Sequence, residues 1–426
     1  MTPVNQLTVI IAGQIAGEVT RSENGRINFK YTDDYSGMPL SVSMPISNRL
    51  YSDKIIRPYV YGLLPDDKTM RANIARQFEV RASNPLDLLS CIGLDCPGAV
   101  QFCEADALEQ ALGRPGQLVP VDDAAIANRL RNLRVAEESS WIGHEERWSL
   151  GGNQGKFALC QQGDVWCECR GSAATTHIFK NGMAGYRLQA LNEYICMRLA
   201  HACGLPCADV EYRLFEDEPA IIVSRYDRSI SQDGSVTRLH QEDLCQALSV
   251  MPDQKYTSDG GPGASDVLHL LASTPHYQQN IALFIQMLFF NCLIGAPDAH
   301  AKNYSLLLAP GPSALIAPLY DVASGLAYDA LRRKGRLAMS IGGENRFGRM
   351  SVQALGRFVR NGGIDKLGFD QAWCADAMAL LAGRILDSLG KVFDNEARIP
   401  GCDDLRAHLE DPIVNNCKTI LAQLGA

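Results

Sequence analysis

Gly295-Ala-Pro-Asp-Ala-His-Ala-Lys-Asn-Tyr-Ser-Leu-Leu307 takes up the end of the most apolar run of the chain, 281–296, and runs on into a strand-like segment, 304–308. Gln286 and Asn291 interrupt the apolar run, and it is shorter than the roughly 20 residues that cross a bilayer, so a buried helix is expected. Asp298, His300, Lys302 and Asn303 therefore stand at the end of a buried element, and Asp321 follows in Pro318-Leu319-Tyr320-Asp321. Two carboxylates, a carboxamide and a cation are costly to place there without a task. Phosphoryl transfer has a use for each of them. One Asp can orient the attacking hydroxyl and accept its proton, while Asn303 and the second Asp supply the hard oxygen ligands that Mg²⁺ prefers. The plainer alternative is a polar turn that caps the helix, with Asp321 as the N-cap of the next segment.

Upstream, Ser149-Leu150-Gly151-Gly152-Asn153-Gln154-Gly155-Lys156 lies between two strand-like segments. Its three glycines let backbone N–H groups approach an anion without Cβ obstruction, although a simple glycine hairpin turn accounts for them equally well. It is not a Walker A loop, because no Gly-Lys-Ser/Thr follows at the required spacing. Lys180 ends the strand-like Thr176-His177-Ile178-Phe179-Lys180, and Glu193 follows in an amphipathic helix, 187–203. A strand lysine held by a helix glutamate positions an ammonium on nucleotide phosphates in many kinases. Taken singly, each reads as a solvated surface residue.

The 426 residues exceed the roughly 250–300 that one core commonly holds, so a multi-lobed globular protein is expected. A formal charge of −8 excludes a chain whose main task is to coat nucleic acid. The 14 cysteines form no CxxC pair, which predicts free thiols in a reducing cytoplasm in place of a zinc site. No cationic stretch accompanies the short apolar run 8–12, so a secretion signal is not expected.

Alternation over 6–15, a turn at Asn24-Gly25 and a strand over 26–31 open a small α+β unit, 1–105. Helices are predicted over 58–64, 69–79 and 85–92, with a returning strand over 96–103. The Ala-, Pro- and charge-rich span 106–139 reads as a connector with one helix, 124–133. A β-rich lobe, 140–240, and a mainly helical lobe, 241–426, complete the chain. That order is the one found in protein-kinase-like folds.

SLGGNQGKFAL (149–159), THIFK (176–180), SRYDR (224–228), HQEDLCQAL (240–248), KYTSDGGPG (255–263), GAPDAHAKNYSLL (295–307) and PLYDVAS (318–324) together resemble the HipA toxin kinases. That bacterial family has an α+β, two-lobed, protein-kinase-like (phosphatidylinositol-kinase-like) fold. The motifs stand in the family's order, and 1–105 resembles the small N-terminal subdomain of its longer members. The resemblance implies a cytoplasmic serine/threonine protein kinase that uses ATP and Mg²⁺. By position, it implies that Lys180 contacts the phosphates beneath a loop of Gly151, Gly152, Asn153 and Gln154. It likewise implies that the backbone of Ser224, Arg225 and Tyr226 receives the adenine. Asp298 becomes the catalytic base, supported by His300 and Lys302, and Asn303 and Asp321 become the Mg²⁺ ligands. Ser149 takes the place of the serine whose autophosphorylation shuts family members down; about −1.5 to −2 of added charge beside ATP phosphates favours ejection of the loop.

Two positions depart from the family. Gly155 stands where Pro or Glu is common, which makes the loop more mobile, and Ser224 stands where an acidic residue is expected. The resemblance further implies a HipB-like helix-turn-helix antitoxin as partner, with DNA reached indirectly through it. The implied substrate is a protein such as an aminoacyl-tRNA synthetase, and no membrane is involved. The basic run Leu331-Arg332-Arg333-Lys334-Gly335-Arg336 could meet DNA or a tRNA-bound substrate, though a solvated loop is the simpler reading. Two rivals stay open. A metal-dependent phosphohydrolase built on Asp298, His300 and Asp321 leaves Lys180 and the glycine loop without a task. A non-catalytic ATP- or partner-binding protein is not signalled by the loss of any essential Asp.

Overall fold

Ala12 and Gly13 both take left-handed backbone, with φ of 48° and 79°. They turn the chain between β1 (Gln6–Ile11) and β2 (Gln14–Arg21). The alternation over 6–15 is therefore two strands and a tight turn, with Ile11 opposite Gln14. A two-residue loop with positive φ at both positions suits the twist of the strands it joins. β3 (Ile27–Tyr31) adds to β2, and β4 (Val100–Cys103) to the far side of β1, in the order β3-β2-β1-β4. α1 (Asp53–Leu63) and α3 (Pro85–Ile92) pack on this sheet, with α2 (Lys68–Gln77) beside α3. The Asp67 carboxylate accepts from Thr69 N–H to start α2, and Asn84 accepts from Leu86 N–H to start α3. Pro85 opens α3, at a place where its missing N–H is not needed.

The computed structural model describes residues 3–113, 116–135, 141–183 and 185–425. By contact the chain divides into two units: the first takes 1–183, 213–253 and 306–314, the second 184–212, 254–305 and 315–426. The first unit also holds a six-stranded sheet of order β5-β7-β6-β8-β10-β9. These strands are β5 (Gln117–Val121), β6 (Phe157–Gln162), β7 (Val165–Arg170), β8 (His177–Lys180), β9 (Val210–Phe215) and β10 (Glu218–Ser224). β5 comes from the span read as a connector, which also carries α4 (Leu108–Gly113) and α5 (Asp123–Val135). The boundary expected at 139/140 lies outside the described residues. Phe157 stacks on Phe179 at 5.1 Å, and Trp166 meets Phe179 edge-on at 4.9 Å. Their buried cluster continues without a break to Leu7, Phe29, Tyr59 and Leu63. Each such side chain contributes about 1.5–3 kcal/mol when buried, so the two sheets stabilise one another through a shared core. Asp243 and Gln246 close a capping box on α7 (Leu244–Ala247), which packs on α1.

In the second unit α9 (Tyr277–Ile294) has apolar residues on every side, and a helix of that kind is covered on every side. α8 (Ala264–Ala272), α12 (Gln371–Asn395) and α13 (Cys402–Leu424) cover it. α6 (Gln189–Ala202) packs on α12, as does α11 (Val352–Gly362), and the short α10 (Asp329–Lys334) carries the basic run. α9 stops at Gly295, whose φ is 65°. A Cβ there would come within 2.6 Å of Leu326 Cγ, so any other residue would have to displace that side chain as well as adopt the left-handed backbone. Asn416 Nδ2 donates to the carbonyls of Cys292 at 3.1 Å and Leu293 at 2.7 Å, in the last turn of the helix, where intrahelical donors run out. The turn beyond Gly295 thus departs from a fixed point. No helix among the described residues is long and apolar enough to cross a membrane. The α+β class expected from sequence is the class observed, with a β-rich unit and a mainly helical one.

Candidate active site

Beyond Gly295 the chain forms a turn that closes on itself. His300 N–H donates to Asp298 O at 2.8 Å and Asn303 N–H to His300 O at 2.9 Å. Asn303 Nδ2 also donates to Asp298 O, at 2.8 Å, which fixes the amide so that its oxygen is the group left to ligate. The Tyr256 hydroxyl donates to Asp298 Oδ1. The His300 ring stands edge-on to Tyr256 at 4.8 Å, with Nε2 3.7 Å from the same carboxylate oxygen. The side chain of Asp298 is 61% exposed and that of His300 only 4%, so an accessible carboxylate is oriented by a buried ring and a tyrosine. Lys302 and Asn303 are buried. Tyr320 donates its hydroxyl proton to Lys302 O at 2.7 Å and lies 2.7 Å from Ser305 Oγ.

Asp321 comes next, with φ of 58°. A non-glycine residue there carries strain of about 1 kcal/mol. The chain is held on both sides of it. Leu319 N–H donates to Pro206 O at 2.9 Å, and Leu319 O accepts from Ala208 N–H at 2.8 Å. Asn192 Nδ2 donates to Ser324 O at 2.8 Å, and Ser324 N–H donates back to Asn192 Oδ1 at 3.1 Å. The result is a small pocket lined among others by Asn291, Asp298, Asn303, Tyr320 and Asp321.

In the β-rich unit Ser149 is fully buried. Its N–H donates to Asp95 O at 3.0 Å and its hydroxyl to Leu63 O at 2.5 Å, while Gly152 O accepts from Asp66 N–H at 3.1 Å. Gly152 has a φ of 100°, and a Cβ on it would lie 2.6 Å from Lys156 Nζ. That ammonium donates to Gly151 O at 2.7 Å. Asn153 is exposed, and Gly151 and Gln154 are half-buried. Lys180, the last residue of β8, is buried, and so is Glu193 of α6 in the second unit, against the solvated reading of each.

Ser224 ends β10 opposite His177, and Arg225 N–H donates to Thr176 O at 2.9 Å. Tyr226 donates its hydroxyl proton to Gln241 Oε1 at 2.7 Å. The Arg225 side chain turns inward to a buried network centred on Asp95. Arg225, Arg228 and Arg238 approach the Asp95 carboxylate at 3.4, 2.9 and 2.9 Å, and Thr175 donates to it at 2.7 Å. Asp227 pairs with Arg225 at 2.9 Å and accepts from Gly98 N–H at 2.6 Å. Burial alone would raise the Asp95 pKa, but the three guanidiniums hold it well below the usual carboxylate range.

Tyr256, Asn291, Lys156 and Asp95 are the residues that sequence assigns no role. Tyr256 and Lys156 stand inside quoted motifs, where the motif supplies no geometry. Asn291 reads only as an interruption of an apolar run. Asp95 has no local signal, because its guanidinium partners lie 130 and more residues away.

Residues 7–103 match the HipA N-terminal domain and residues 148–386 the HipA-like C-terminal domain. The chain is 33% identical over 433 residues to the Sinorhizobium fredii protein Y4mE, across 98% of this chain and 99% of that protein. It is 29% identical over 411 residues to the serine/threonine-protein kinase toxin HipA of Shewanella oneidensis, across 92% of this chain and 90% of the toxin. The solved complex of Shewanella oneidensis HipA, HipB and operator DNA contains a chain that superposes with a TM-score of 0.84 at 26% identity, over 98% of both chains. Two matched domains in order, together with identity along nearly the whole length, place this chain in the HipA family of toxin kinases.

Proposed function

We propose that this protein transfers the γ-phosphate of ATP to a serine or threonine of another protein. The observation that carries this reading is the pocket in which Asp298, Asn303 and Asp321 meet. Asp298 accepts the proton of the attacking hydroxyl as its oxygen bonds to the γ-phosphorus, and ADP leaves from the opposite side. Tyr256 and His300 orient the Asp298 carboxylate, and Lys302 supports the turn. Asn303 Oδ1 and the Asp321 carboxylate suit Mg²⁺, which is commonly held by one or two protein oxygens plus phosphates and waters. When bound, Mg²⁺ would offset the charge on the transferring phosphate. Lys180 reaches the phosphates, the loop of Gly151, Gly152, Asn153 and Gln154 covers them, and the backbone of Ser224, Arg225 and Tyr226 receives the adenine.

The physiological substrate is a translation factor such as an aminoacyl-tRNA synthetase, and its modification in the cytoplasm arrests growth. Autophosphorylation of Ser149 turns the enzyme off. A HipB-like antitoxin is the partner, and DNA is reached through it; the related Shewanella complex supports this assignment. Incubation with γ-labelled ATP and Mg²⁺, beside Asp298→Ala, tests the reading. Phosphate on Ser149 or on an added protein, absent with the variant, is expected. Release of inorganic phosphate without protein labelling would replace the kinase with a phosphohydrolase, and the absence of ATP binding would leave a non-catalytic protein.

A further inference from the structure

The pocket of the helical unit spends its donors on the protein itself. Asn303 Nδ2 is used on Asp298 O, the Tyr320 hydroxyl on Lys302 O, and Asn291 Nδ2 on the Tyr304 hydroxyl at 2.9 Å. The side chains lining it also bring acceptors: the oxygens of Asp298 and Asp321, Asn303 Oδ1 and Asn291 Oδ1. Asn291 is 2% exposed, and its Oδ1 has no hydrogen-bond donor among the described residues. A buried acceptor left in that condition costs about 1–3 kcal/mol. It does so on α9, one turn before Gly295.

A divalent cation resolves the mismatch. Mg²⁺ gives up its waters reluctantly and usually keeps several, and those waters point their protons outward. We infer that Asn291 Oδ1 accepts a hydrogen bond from a water in the hydration shell of the cation held by Asn303 and Asp321. Asn291 is then a positioning residue that acts on the metal through water. The inference rests on the kinase reading of this pocket and adds to it a residue that the motifs leave out.

Binding of Mn²⁺ to the full-length protein with a non-hydrolysable ATP analogue tests it, read by the paramagnetic resonance of free Mn²⁺. Removing a group that acts on a metal through its ligands lowers metal affinity about tenfold to hundredfold, which is the loss expected for Asn291→Leu. Tyr304→Phe removes only the partner of Nδ2 and is expected to leave the affinity unchanged. Asn291→Asp, nearly isosteric and still an acceptor, is expected to bind at least as tightly, and it covers the case in which the leucine variant does not fold. Wild-type affinity in Asn291→Leu, a drop in Asn291→Asp, or an equal loss in Tyr304→Phe would overturn the inference while the kinase reading stood. If the wild-type protein took up no Mn²⁺ beyond Asp321→Asn, the kinase reading would fail and the inference with it.

Discussion

Glu242 Oε1 accepts a hydrogen bond from the backbone N–H of Val42 at 2.7 Å, tying two positions 200 residues apart. The carboxyl is fully buried, and neither its other oxygen nor the Tyr59 hydroxyl has a hydrogen-bond partner among the described residues. Burial pushes its pKa up to about 8, against the pull of the hydrogen bonds from Ser41 and Val42 and with a further push from Asp243. The folded protein therefore keeps a proton that the unfolded chain, with a pKa of 4.5, has released. Stability falls as pH rises through that window, by up to about 1.4 kcal/mol per pH unit. Glu242→Gln cannot ionise, so it should exceed the wild type by about 2–4 kcal/mol above pH 8. Urea unfolding at pH 5 and pH 8.5 checks this; the same difference at both would show that the proton is not involved.

Ser149 faces the opposite demand. Its hydroxyl is a donor to Leu63 O in a site closed to water, whereas a phosphate there would bring charge and acceptor oxygens against a carbonyl. Ser149→Glu is expected to raise hydrogen exchange over 149–156. Ser149→Ala should keep the loop protected and lose roughly 1 kcal/mol of stability. Equal exchange in both variants would contradict charge-driven release.

Asp321 combines a left-handed backbone with a proposed ligand, and three substitutions separate the two roles. Asn tolerates the conformation, so Asp321→Asn should match the wild type in stability. Asp321→Ala should be less stable than Asp321→Asn by roughly 1 kcal/mol, because alanine has no polar side chain to ease positive φ. Both should abolish phosphate transfer, and Asp321→Glu should not restore it. Equal urea midpoints for the Asn and Ala variants would remove the strain from the account.

Gly295→Ala places a methyl group 2.6 Å from Leu326 Cγ at a φ of 65°. A loss of about 1–3 kcal/mol is expected, together with lower phosphotransfer, since the turn bearing Asp298 starts there. Adding Leu326→Ala removes the clash and leaves the backbone strain, so partial recovery of thermal stability distinguishes the two terms.

Most of what is local was legible in the chain. The apolar run forecasts α9, Cys203-Gly204-Leu205-Pro206 its own helix stop, and Pro85 the start of α3. The Ala12-Gly13 turn was not, because Ala hides a positive φ inside an alternating pattern. β7 carries one β-branched residue and β5 a proline, and the two are recruited by pairing with each other, as Leu118 opposite Cys169 shows. At the site, residue types and their spacing single out Asp298, Asn303 and Asp321, and they do line one pocket. Tyr256 and Asn291 escape notice because their importance lies in what their side chains meet across the fold, which spacing does not encode.

Asp95 belongs to the stretch that matches one domain family, and Arg225, Arg228 and Arg238 to the stretch that matches the other. Buried charges that lose their counterion cost about 3–5 kcal/mol. A gene cut between the two stretches would therefore yield one fragment with an orphan carboxylate and another in which Arg225, Arg228 and Arg238 are left with the single carboxylate of Asp227. The unpaired charge on each side gives the two stretches a reason to stay on one chain.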